Sequence, residues 1–138
     1  MILRIANPYG PGKDYTKGVG VVDVFLKKVI HEEEIEIYGD REVRRDYIYI
    51  DDLCEAFLKV IKYEDNKVYT LNIGSGTEHS LNDIINVIKA ATQHDKVKVK
   101  YTNSRNVDVN RSVLDVELAK KELKFKSKIY IIQGISYI

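Results

Sequence analysis

The sequence predicts an α/β fold, and three observations predict it. Short apolar runs that read as strands alternate with stretches whose apolar residues recur at helical spacing. Glycine and proline gather between these stretches rather than inside them. The composition, 44% apolar and 31% charged over 138 residues, is that of a globular chain long enough to bury a core without disulfide or metal staples.

Taken in order, Ile2-Leu3-Arg4-Ile5-Ala6 reads as a strand stopped by Asn7-Pro8, and the turn formers Pro8, Gly10, Pro11 and Gly12 follow. After Gly20 the residues Val22, Phe25, Leu26, Val29 and Ile30 mark one face of a helix. Ile35 to Tyr38 alternates as a half-buried strand and ends at Gly39-Asp40, and Tyr47 to Ile50 is a second short strand. Asp51 or Asp52 is placed to cap a helix striped by Leu53, Ala56, Phe57, Val60 and Ile61. Val68 to Ile73 forms a strand closed by Gly74-Ser75-Gly76. Ser80-Leu81-Asn82-Asp83 then spells a capping box ahead of Ile84, Ile85, Ile88 and Ala91. Val97 and Val99 alternate into a strand, and Asp115 can cap a helix through Leu118, Ala119 and Leu123. The apolar tail from Phe125 fits either element. The chain opens and closes on strand-like residues, so residues 1–138 are expected to be a single domain that is part of something longer.

Composition also excludes functions. Lys plus Arg is 22 and Asp plus Glu 21, so bulk charge recruits neither nucleic acid nor a membrane surface. The single cysteine, Cys54, closes no internal disulfide and is expected to pack in its helix, and no Cys/His spacing suits a metal. Without a long apolar run or a charged-then-apolar leader, the expected location is cytoplasmic. His31, His79 and His94 lie scattered in polar segments and are expected at the surface. There is no nucleophile elbow, P-loop or complete dinucleotide fingerprint. Two Tyr-x-x-x-Lys spacings fail on context: Tyr9…Lys13 contains Pro11, and Tyr63…Lys67 crosses Glu64-Asp65-Asn66. What remains is Arg45 and Arg105 in polar stretches, whose planar forks suit phosphate oxygens, with Asp108 three residues beyond Arg105 to accept hydroxyls. The Gly20-Val21 helix entry adds backbone donors for an anion. A surface salt bridge would account for either arginine equally well.

Read together, Arg4-Ile5-Ala6-Asn7-Pro8-Tyr9-Gly10-Pro11-Gly12, Gly20-Val21-Val22, Ile35 to Asp40, Arg45 to Leu53, Asn72 to Gly76, and Arg105-x-x-Asp108 followed by Leu114-Asp115 form an ordered series. The series resembles the C-terminal half of the NAD-dependent sugar-nucleotide epimerases and dehydratases, the extended short-chain dehydrogenase/reductases, with the UDP-glucose 4-epimerase type nearest. The resemblance implies the substrate-binding part of an extended Rossmann fold without its central parallel sheet. It also implies a UDP-sugar or related nucleotide sugar as ligand. Asn7 would bond the diphosphate or sugar, Gly20 and Val21 would present backbone, and Tyr38 would pack on the base. Arg45 and Arg105 would clamp the diphosphate, and Asp108 would hold the ribose. Asp46, Asp51 and Asp52 are expected to be structural. The NAD-binding Rossmann domain, with its glycine-rich loop and helical Tyr-x-x-x-Lys, would precede residue 1 and is absent. NAD is therefore the cofactor of the complete enzyme, and none is expected on this chain alone. The implied outcome is weak binding without turnover and self-association through exposed strands or helix faces. A stand-alone binding module, or a dehydratase or decarboxylase fragment, are the alternatives.

Overall fold

The computed structural model describes residues 1–12, 20–39, 43–65, 67, 69–102 and 109–138. Its strands are β1 (Ile2–Ile5), β2 (Asn7–Tyr9), β3 (Ile35–Tyr38), β4 (Arg44–Tyr49), β5 (Thr70–Ile73), β6 (Glu78–Ser80), β7 (Val99–Thr102) and β8 (Arg111–Ser112). The helices are α1 (Val21–Ile30), α2 (Ile50–Ile61), α3 (Leu81–Thr92), α4 (Glu117–Leu123) and α5 (Ile131–Ile135). The mixed α/β architecture holds as expected, with small and mostly parallel sheets. β1 pairs in parallel with β5, and β3 with β7. In the third sheet β4 takes β2 and β8 in parallel and β6 antiparallel.

β4 divides the interior because successive side chains of a strand point to opposite faces. Tyr47 and Tyr49 join a core built from Val22, Phe25 and Val29 of α1, Ile35 and Ile37 of β3, and Ile84, Ile85 and Ile88 of α3, closed by Ile131 and Ile135 of α5. Ile48 joins the other core, with Leu53 and Ala56 of α2, Leu71 and Ile73 of β5, and Ala119, Leu123 and Phe125. No helix among the described residues is long and apolar enough to cross a membrane.

Several local expectations are corrected. β1 ends ahead of Asn7-Pro8 as read, but these two residues begin β2 rather than a turn. Among the described residues this strand pairs with β4 alone, the kind of edge strand in which proline is tolerated. Ile50 belongs to α2, whose N-cap is Tyr49 without a side-chain bond, so neither Asp51 nor Asp52 caps it. Asp52 is structural in another way. Its buried carboxylate accepts from Ser127 Oγ at 2.7 Å and from the Lys128 and Ile129 amides at 2.9 Å, tying the tail to α2. Cys54 does not pack into the helix interface; it is exposed. The capping box is as read: Ser80 accepts from the Asp83 amide and Asp83 from the Ser80 amide.

Candidate functional site

An open cavity of about 620 Å³ lies where the N-terminus of α1 faces β2, β3 and β4. Asn7, Gly20, Val21, Tyr38 and Arg45, singled out from the sequence, all line it. Arg105 and Asp108 lie outside the described residues. The strand that follows them, β8, pairs with β4 beside Arg44 and Arg45.

Each wall follows from local sequence. Gly20 caps α1 at φ +98°, in the left-handed region that a side chain rarely adopts, and its carbonyl accepts the first helical bond from Val24. No side chain caps this helix, so the positive end of its dipole opens on the cavity. Asp23, in the first turn, is the acidic group on that wall. Tyr38 ends β3 half-exposed, and its hydroxyl donates to Glu36 at 3.0 Å. Glu36 also meets Lys100 at 3.1 Å, and these two bonds, Lys100 first, hold its carboxyl below the usual range. The network fixes the Tyr38 ring at the cavity mouth and offsets the Glu36 charge.

Arg45 supplies the cation. Glu78 engages its neighbours, Arg111 at 2.6 Å and Arg44 at 3.8 Å, while no carboxylate among the described residues pairs with Arg45. Among the described residues the guanidinium donates to the Arg44 carbonyl alone, at 2.9 Å, so further donors remain that a ligand can take. Asn7 is more constrained than expected, since its side-chain amide donates to the Asp46 carbonyl at 2.8 Å.

Sequence reading missed Tyr47. It stands two residues from Arg45, on the same face of β4, and that period-two spacing was the available signal. Its side chain is 5% exposed and its hydroxyl has no hydrogen-bond partner. Burial pushes the phenol up to about 12, with Arg45 pulling the other way. A neutral buried hydroxyl and a guanidinium without a carboxylate partner among the described residues, on one wall, suit phosphate or sugar oxygens. His79 also departs from expectation: half-buried with its ring 6.5 Å from that of Tyr47, it titrates below its ordinary value because of burial. Tyr63 donates to Glu122 and Lys67 pairs with Asp65, and burial raises the Tyr63 phenol, so this pair is no general base.

The profile of the NAD dependent epimerase/dehydratase family matches residues 1–74. A dTDP-4-dehydro-6-deoxyglucose reductase of Escherichia coli is 35% identical over 96% of this chain and 42% of its own length. The crystal structure of UDP-glucose 4-epimerase with UDP-glucose from Thermotoga maritima superimposes with a TM-score of 0.88 at 37% identity, covering 98% of this chain and 43% of that one. MoeE5 in complex with UDP-glucuronic acid and NAD superimposes with a TM-score of 0.88 at 26% identity, covering 98% and 44%. The chain thus spans less than half the length of the relatives it matches.

Proposed function

The chain belongs to the NAD dependent epimerase/dehydratase family, and from that premise we propose that its cavity holds the nucleoside diphosphate of a nucleotide sugar. The observation that carries the reading is Arg45, a cation with no carboxylate partner among the described residues, beside the buried Tyr47 hydroxyl and the start of α1, which no side chain caps. Those groups offer a charged fork, a neutral donor and a dipole end to one anion. In this reading the Tyr38 ring, which lines the same cavity with its hydroxyl bonded to Glu36, stacks on the base. The similar Thermotoga maritima and MoeE5 structures contain UDP-glucose and UDP-glucuronic acid, which makes a UDP-sugar the first ligand to try. The Escherichia coli relative acts in dTDP-sugar chemistry, so dTDP is the comparison ligand.

NAD is present in the MoeE5 complex, and the Gly74–Gly76 turn of this chain does not offer it a phosphate site. The Gly74–Gly76 turn resembles a phosphate loop, but the amides of Ser75 and Gly76 already donate to the Asp46 carboxylate. We propose substrate binding as the function of this chain, with no turnover of a nucleotide sugar by it alone.

Hydrogen bonds to charged groups contribute roughly 1.5–3 kcal/mol each. Two arginine contacts would give about 3–6 kcal/mol before ordering costs, and ~4 kcal/mol corresponds to millimolar affinity. Titration calorimetry with UDP should give a millimolar or weaker dissociation constant that Arg45→Ala abolishes. Binding unchanged in Arg45→Ala would end the reading, and a micromolar constant would overturn the affinity argument. UDP-glucose incubated with NAD and this chain should yield no 4-epimer when the nucleotide sugars are separated by chromatography.

A further inference from the structure

Asp46 sits between Arg45 and Tyr47 in sequence but points away from the cavity they line, because neighbours on a strand face opposite sides. It is 1% exposed. One carboxylate oxygen accepts from the Ser75 amide at 2.9 Å and the Ser75 hydroxyl at 2.6 Å. The other accepts from the Gly76 amide at 3.1 Å and the Leu114 amide at 3.4 Å. Its main-chain carbonyl takes the Asn7 amide. A side chain at Gly74 would run into this carboxylate, so the turn closes on Asp46 with no room to spare.

We propose that Asp46 is the positioning residue of the cavity: clamped from behind by the Ser75, Gly76 and Leu114 donors, and joined to Asn7 through its carbonyl, it sets the orientation of Arg45 and Tyr47 without touching the ligand. The inference rests on the nucleotide-diphosphate reading and deepens it. A carboxylate is needed because both oxygens accept. An asparagine of the same shape offers one acceptor and turns an NH₂ group toward the Gly76 and Leu114 N–H groups. That clash would displace the turn and, with it, the β4 segment that carries Arg45.

The test compares Asp46→Asn, Ser75→Ala and Arg45→Ala with the unaltered chain. Folding is followed by circular dichroism, and UDP binding and the Asn7 side-chain amide by ¹⁵N NMR. In folded Asp46→Asn, UDP binding should weaken about tenfold and the Asn7 amide signals should move. Ser75→Ala, which removes one of the donors, should show a smaller change in the same direction. A purely structural role would lower the unfolding midpoint while the folded fraction bound UDP as before, and that result overturns the proposal. If Asp46→Asn does not fold, Ser75→Ala decides: Asn7 signals and UDP affinity both unchanged overturn it. If the unaltered chain shows no UDP response, the binding reading falls. The positioning claim is then decided by the Asn7 and Arg45 side-chain signals, which support it if they move in Asp46→Asn and overturn it if they do not.

Discussion

Tyr47 shows a conflict between stability and binding in one side chain. A buried hydroxyl without a partner costs about 1–3 kcal/mol, so Tyr47→Phe should raise the unfolding free energy by about 1 kcal/mol in urea titration while weakening UDP binding. A variant that loses stability and keeps its UDP affinity would contradict that assignment. The same burial makes a pH prediction. The folded phenol, pushed up to about 12, lies above its unfolded value of 10.0. Its contribution is complete below pH 10 and lost as pH rises toward 12, so thermal midpoints should fall across that interval, and by less in Tyr47→Phe. Gly74 supplies a third prediction. An added Cβ would meet the Asp46 carboxylate and lie 3.1 Å from Ala6 Cβ, both in packed surroundings. Gly74→Ala should destabilise by about 1–3 kcal/mol in the same titration.

At the level of elements, what the sequence disclosed was local. The Ser80–Asp83 box could be read because both partners lie within one turn of chain, and the bonds formed are those read. Ser80→Ala should cost about 1 kcal/mol by denaturant titration. The Asp83 carboxyl is held below its ordinary value, first by its backbone bond to Ser80, so this stabilisation is present above about pH 4 and lost as pH falls through the lowered value. Stability should therefore fall as pH drops through that range, and by less in Asp83→Asn, which has no carboxylate to protonate. Asp52 could not be read in the same way. Position suggested a helix cap, whereas its acceptors are filled by residues 127–129, more than seventy positions away in the chain. The short strands β6 and β8 escaped for a related reason, since they are defined by pairing with β4 rather than by their own alternation.

Across the whole molecule, the exposed apolar surface carries an assembly prediction. β1 pairs only with β5 among the described residues, with Ile2 and Ile5 exposed, and α2 turns Phe57, Leu58 and Ile61 to solvent. An open strand edge beside apolar side chains favours pairing between chains. Sedimentation should show mass rising with concentration, and Ile2→Lys with Ile61→Lys should suppress it. A monodisperse monomer at high concentration would remove this expectation. The sequence by itself determined the α/β class, most helix faces, and the motif series that assigns the chain to its family. These depend on periodicity and on residues near one another in the chain. Only the tertiary structure decided that Asn7, Gly20, Val21, Tyr38 and Arg45 share one hollow, that Tyr47 belongs with them, and that Asp46 is held by Ser75, Gly76 and Leu114. A guanidinium has the same charge wherever it stands. Whether a carboxylate faces it, or a ligand can, depends on which distant strands the packing of two cores brings alongside.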